Sequence, residues 1–234
     1  MNTFPAIFPL GDRAATIELG SRVDEVLNRK VMAMAAWFSD HAFEGLKNII
    51  PAYSSLTVIY DPFLVKTLYQ PDSTVYDWVK QLLQTAFEHS DDISNRAVKR
   101  HQVPVCYEGI YAPDLGSMAA SLKLPEEEII RIHASTLYRV FMIGFLPGFA
   151  YLGTVDAQIA FPRKPQPAPV MAGSVGIAGK QTGIYPLNSP GGWNIIGRIP
   201  MKMFDPNAKE PVWMNPGDEV QFCPVSVREF EMQQ

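Results

Sequence analysis

Two cysteines, four histidines and the absence of any long apolar run define what this 234-residue chain has little of. Cys106 and Cys223 lie far apart, each inside an apolar strand-like run, so a disulfide framework is excluded and both read as buried thiols. A Cys–His nucleophile is the sharper alternative for Cys106, with His101 or His133 as base, although no activating neighbour is visible in sequence. There is no Cys-x-x-Cys, no His-Glu-x-x-His and no histidine pair at ligand spacing, which argues against a protein metal site. No stretch of about 18 apolar residues could span a membrane. The opening MNTFPAIFPLGDR lacks the basic start and long apolar core of a signal peptide. The expectation is a cytoplasmic protein with no membrane contact, and a net charge of −4 disfavours a nucleic-acid partner.

What is present is ordinary globular material, 47% apolar and 19% charged, enough to bury a core. Ala15, Ile17 and Leu19 alternate with polar neighbours and predict a strand. Val23 to Gly45 carries Val23, Val26, Leu27, Val31, Met34 and Phe38 at helical spacings. Strands are expected at 48–53 and 56–60 around a Ser54-Ser55 turn, then a helix capped by Thr74 with the stripe Val75, Trp78, Val79, Leu82, Leu83, Ala86 and Phe87. After a polar linker, His89 to Lys99, another strand is expected at 102–107. Counted with the first hundred residues it completes a β-α-β-β-α-β order and a ferredoxin-like α/β domain, but it could instead open the next domain. The division adopted is residues 1–98 and 99–234.

Two short helices follow, one started by Pro113 and Asp114, the other by Pro125 and Glu126, Glu127 and Glu128, acids that suit a helix N-terminus better than a metal site. From Tyr138 onward short apolar runs are broken by Gly and Pro. Ten of the sixteen glycines lie between Gly144 and Gly197, predicting an all-β C-terminal domain, a compact barrel or sandwich. The fold class is α+β.

Charge is segregated in that second half. Between Asp156 and Asp205 there is no acidic residue, while Arg163, Lys164, Lys180, Arg198 and Lys202 contribute five positive charges. In a glycine-rich segment this points to an anionic ligand, a carboxylate or phosphate; the alternative is that these cations pair with acids elsewhere. Phe145, Phe149, Tyr151, Tyr185 and Trp193 could line a cleft with Arg163, Lys180, Gln181 and Arg198, or fill a barrel core. His133 shares a helical face with Ile129 and reads first as a core or interface residue, second as a general base or anion contact. Ser174 to Gln181 brushes against a phosphate-binding loop but lacks its first glycine and its Ser or Thr. Ala172 to Gly176 is a relaxed nucleophile elbow with no histidine downstream.

The strings GFLPGFAYLG (144–153) and AGSVGIAGKQTGIYPLNSPGGWNIIGRIP (172–200) resemble the family that holds the B subunit of 5-oxoprolinase, the allophanate hydrolase subunit 1 domain and the kinase inhibitor KipI. Weaker likeness runs through VPVCYEGIYAPDL (103–115), MFDP (203–206) and NPGDEVQF (215–222). The resemblance implies a small α/β domain followed by a cyclophilin-like β-barrel. It implies one member of a complex in which homologous B and C subunits work with a third, the A subunit, to open 5-oxoproline, a small carboxylate and lactam, to glutamate. ATP is used by that complex, with no site located on this chain. The resemblance equally accommodates an inhibitor of a sensor histidine kinase, or a component of the allophanate hydrolase or urea carboxylase type. Carried over by position, Arg163, Gly173, Ser174, Gln181, Thr182, Tyr185, Ser189, Pro190, Gly191, Gly192, Trp193 and Arg198 match the pattern. Arg163 and Arg198 are expected to hold the anion, Gln181 and Tyr185 to hydrogen-bond substrate, and His133, Gln181 and Tyr185 are the catalytic candidates. Where the family usually reads Pro-Arg-x-x-Val-Pro, this chain has Gln166-Pro167-Ala168-Pro169-Val170-Met171, so Pro167 replaces an arginine, and Arg163 upstream is the only basic candidate to compensate besides Lys164.

Overall fold

The computed structural model describes residues 5–91 and 98–233, so positions 92–97 of the expected linker lie outside the described residues. The chain divides into two units, Met1–Ala97 and Val98–Gln234.

In the first unit, β1 (Ala6–Pro9), β2 (Ala14–Glu18), β3 (Leu46–Pro51) and β4 (Ser55–Tyr60) form a sheet of order β1-β2-β4-β3. Helix α1 (Glu25–Asp40) starts where the Asp24 carboxylate accepts the backbone N–H groups of Val26 and Leu27, two donors that a helix leaves unpaired. It is shorter than the apolar pattern predicts, since it starts after the Asp24 cap and ends at Asp40; Val23 precedes it, Val26 faces solvent on its first turn, and Val31, Met34 and Phe38 are buried. Helix α2 (Pro62–Tyr69) follows an Asp61 cap, and α3 (Val75–Glu88) begins with a Thr74–Asp77 capping box and buries Val79, Leu83 and Ala86. Those side chains close over Ile17, Leu56 and Val58 of the central strands.

Every pairing in this sheet is antiparallel, as it is in a split β-α-β arrangement, where an antiparallel strand lies between the two parallel ones; the expected β-α-β-β-α-β order departs in one strand. The strand counted as its last member belongs to the second unit, and β1, four residues ending in proline, supplies the fourth strand here instead.

The second unit is a closed barrel. Its strands are β5 (Arg100–Cys106), β6 (Leu137–Ile143), β7 (Ala150–Thr154), β9 (Ser174–Ala178), β10 (Gln181–Ile184), β12 (Asn194–Arg198) and β13 (Glu219–Val225), joined in the order β10-β7-β6-β13-β5-β12-β9 with β9 pairing back to β10. Only β13 and β5 run parallel among these, in register from Glu219 opposite Arg100 to Val225 opposite Cys106. Two short strands, β8 (Ala168–Val170) and β11 (Ser189–Gly191), form a separate ribbon. Side chains alternate across each strand, so Val175, Ile177, Thr182 and Ile184 point into the barrel.

Helices α4 (Leu115–Leu122) and α5 (Glu126–Ser135) stand where two short helices are expected, with the three glutamates in the first turn of α5 and Glu128 paired to Arg131 at 2.6 Å. The C-terminal stretch is not purely β: α6 (Val227–Glu231) is opened by a Ser226–Glu229 capping box. No helix among the described residues is long and apolar enough to cross a membrane.

Candidate ligand site on the outer face of the barrel

Strand β10 separates the predicted site residues into two groups. Thr182 points inward and is fully buried. Its hydroxyl donates to the Gly176 carbonyl at 3.0 Å, which leaves its oxygen to accept from His133 Nε2 at 2.9 Å. His133 therefore carries its proton on Nε2, and Nδ1 accepts from the Tyr107 hydroxyl at 2.8 Å. The imidazole lies stacked on Phe222, ring centroids 4.6 Å apart, and burial pushes its pKa down to about 3. Burial likewise holds the Tyr107 phenol well above its ordinary value. His133, considered for catalysis, and Thr182, considered for substrate contact, are both fully buried in the core, joined in a closed, neutral chain of hydrogen bonds. Cys106 is buried too, its thiol pushed up chiefly by burial. His133 is committed to Tyr107 and Thr182, and His101 bonds Asp218 at 2.9 Å, so neither activates Cys106.

Gln181, Gly183 and Tyr185 point the other way. Around them Phe149, Tyr185, Trp193 and Ile195 make a second apolar cluster against which Leu146 and Tyr151 pack. Phe149 meets Tyr185 edge-on at 4.9 Å and Trp193 at 5.6 Å, and Tyr151 meets Trp193 at 6.0 Å. The expected aromatic group is therefore one assembly on the outer face of the barrel. Gly191 must be glycine here, because a Cβ would collide with the Tyr185 phenol ring, with Cζ and Cε1 both at 2.8 Å. Burial raises the pKa of Tyr185, opposed by the Trp193 backbone N–H and by Arg163. Arg163 opposes the burial-driven rise at Tyr151 as well, so its positive charge acts on both phenols. Its guanidinium lies alongside Gly192, with Nε and Nη2 3.6 Å from where a Cβ would stand.

The cations divide. Lys164 pairs with Asp114 at 2.7 Å, and the same carboxylate accepts the Ile195 backbone N–H at 2.6 Å. Asp114 makes no cap bond to α4; it ties the 162–164 segment to β12. Arg198 donates Nε to the Ala172 carbonyl at 2.8 Å. That bond steadies the turn carrying Gly173, which admits only glycine, because its φ is +83° and a Cβ there would stand 2.6 Å from the Ile199 carbonyl oxygen. Gly192 lies two residues before β12 and Arg198 at its far end, roughly 20 Å of extended backbone apart, so the structure does not bring the two arginines together through this strand. Ser174 is buried beside Arg198 in the β9–β12 register. Lys180 is exposed at the hairpin tip between β9 and β10, and that hairpin rules out a phosphate-binding loop or a nucleophile elbow, both of which need a helix after the turn. Arg163, Lys180 and Lys202 are exposed and form no ion pair among the described residues.

Three buried polar atoms have no hydrogen-bond partner among the described residues: Gln181 Nε2, Ser189 Oγ and, in the barrel core, the Tyr138 hydroxyl. Buried donors are normally satisfied, and the first two belong to positions selected for substrate contact. Pro190 lies exposed between Ser189 and Gly191 on the β11 ribbon. Sequence reading misses the backbone of Phe145. Its φ is +67°, and Leu146 N donates to the Gly144 carbonyl at 2.8 Å across it, closing a three-residue turn of the rarer, strained hand. Such a backbone costs about 1–3 kcal/mol in a non-glycine residue, while the edge contact of its 63%-exposed ring with Phe149 returns about 0.5–1.5 kcal/mol. No group of three or more His, Cys, Asp or Glu is placed to hold a metal ion among the described residues.

The chain belongs to the family of the carboxyltransferase domain, subdomain C and D, whose family model matches residues 5–214. Within it the resemblance read from the 144–153 and 172–200 strings holds. The chain is 42% identical over 225 residues to the B subunit of 5-oxoprolinase from Bacillus subtilis, covering 94% of this chain and 93% of that one. It is 36% identical over 216 residues to the B subunit of 5-oxoprolinase from Escherichia coli O157:H7, covering 92% and 94%. Among solved structures it matches TTHA0988 with a TM-score of 0.77 and 34% identity, over 92% of this chain but 40% of that longer one.

Proposed function

We propose that this chain is the B-type subunit of an ATP-dependent lactam hydrolase, opening 5-oxoproline to glutamate in company with two others, a homologous C-type subunit plus an A-type one. The observation that carries this reading is near full-length identity, at 42% and 36%, with two proteins named as the B subunit of 5-oxoprolinase. The site agrees with it chemically. Arg163 is an exposed cation without an acidic partner among the described residues, suited to a small carboxylate. Gln181 Nε2 and Ser189 Oγ are unpartnered donors buried beneath this face, and the aromatic assembly offers an apolar wall to an uncharged ring. The smaller role given to Arg198, and Pro167 in place of an arginine, leave Arg163 as the principal anion contact.

ATP belongs to the assembled enzyme in this reading. The one segment of this chain with a likeness to a phosphate loop is a β-hairpin, so no step is assigned to nucleotide here. The test is glutamate release from 5-oxoproline and ATP by the reconstituted complex, each component omitted in turn. Turnover that requires this chain supports the proposal. An assembled complex that consumes allophanate or urea instead, or that is inert while this chain alone inhibits a histidine kinase, overturns it.

A further inference from the structure

The turn between β6 and β7 puts its single strained residue beside the site. Gly144 N donates to the Phe149 carbonyl at 3.1 Å, Leu146 N to Gly144 at 2.8 Å and Phe149 N to Leu146 at 2.9 Å, so the turn is cross-bonded and preorganised. Glycine occupies positions 144 and 148, yet the residue forced to positive φ between them is phenylalanine. A bulky side chain there is an outlier, and its ring gains little from the fold: it is 63% exposed and touches Phe149 by an edge, 5.6 Å between centroids. Strain that local packing does not repay is retained for what it presents. What it presents is an uncovered apolar face next to Phe149, itself in contact with Tyr151, Tyr185 and Trp193, and Trp193 follows Gly192, beside which the Arg163 guanidinium lies.

We infer that Phe145 is a specificity-determining residue that covers the uncharged, planar part of a small amide-bearing carboxylate whose anionic end Arg163 holds. The inference rests on the proposed reading of the site and adds to it the residue that distinguishes a cyclic or planar amide from a simple carboxylate. A single exposed ring on a rigid three-residue turn suits a small ligand better than a broad protein–protein interface, which buries a contiguous apolar patch.

The experiment uses Phe145→Gly and Phe145→Asn, both compatible with positive φ, in the full chain. Each is expected to leave the melting temperature unchanged or raise it by roughly 2–4 °C. Each is expected to raise KM for 5-oxoproline in the reconstituted complex about tenfold, with assembly of the complex in gel filtration unchanged. A lower melting temperature with unaltered KM makes Phe145 a packing residue and overturns the inference, as does loss of assembly with KM unmoved. Should the wild-type complex not turn over 5-oxoproline, the reaction assigned above fails on its own account. The inference is then read from quenching of tryptophan fluorescence in the free chain by 5-oxoproline and allophanate. Quenching lost in both variants sustains it; quenching equal in all three proteins, or absent from the wild type, overturns it.

Discussion

The two faces of β10, four residues long, are built on opposite principles. Inward, Thr182 completes a chain from the Tyr107 hydroxyl through both nitrogens of His133 to the Gly176 carbonyl, in which each of these donors has a partner. Outward, Gln181 Nε2 is buried without a partner, as is Ser189 Oγ, and Arg163 has no acid to balance it among the described residues. Burial is therefore not what separates scaffold from site here, since both faces are largely sheltered. Hydrogen-bond pairing separates them more nearly, although the Tyr138 hydroxyl is also without a partner in the core: a closed polar network fixes a barrel, whereas the outer face keeps two buried donors and an exposed cation unpaired.

The sharpest contrast between the faces is in their response to acid. Folded His133 takes up a proton only near pH 3, while in the unfolded chain it does so near 6.5. Above pH 6.5 the residue adds no pH dependence. As pH falls from 6.5 towards 3 the unfolded state holds the extra proton, and stability drops by up to about 1.4 kcal/mol per unit. Urea titrations of the full chain across this window should show that slope, and His133→Gln should flatten it while lowering stability at neutral pH. A variant with the wild-type slope would break the contrast.

The outer face is expected to be intolerant of shape rather than of pH. Gly191→Ala drives a methyl group into the Tyr185 ring, and overpacking of this kind costs about 1–3 kcal/mol. It should displace Tyr185 and weaken substrate binding in parallel, read as a lowered melting temperature together with a raised KM. A loss of stability with KM untouched would detach Tyr185 from the site.

Much of this division was legible in the sequence. The acid-free stretch holding Arg163, the Gly-rich strings and the aromatic group led to the outer face, and a lone histidine in register with Ile129 reads first as a core residue, as His133 proves to be. Other features depend on contacts distant in sequence. Asp114 looks like a helix start, but its carboxylate bonds Ile195 and Lys164, 81 and 50 positions away. Arg198 carries the same charge as Arg163, and only the turn at Ala172 shows that it is occupied. The fourth strand of the first sheet is short and ends in proline, so alternation could not reveal it, and the apolar run at 102–107 fitted either unit. By contrast α2 and α6 carried readable signals in Asp61-Pro62 and in the Ser226–Glu229 spacing.

The most direct test places one substitution on each face. Thr182→Val leaves the His133 Nε2 proton without an acceptor, and an unsatisfied buried group costs about 1–3 kcal/mol; Arg163→Ala removes a charge-assisted contact of about 1.5–3 kcal/mol from a bound anion. Thermal melting and glutamate release in the reconstituted complex should therefore dissociate. Thr182→Val is expected to melt several degrees lower with KM unchanged, and Arg163→Ala to melt with the wild type while KM rises tenfold or more. If Arg163→Ala instead unfolds the chain, or leaves KM where it was, the outer face is scaffold and the account of the site is wrong.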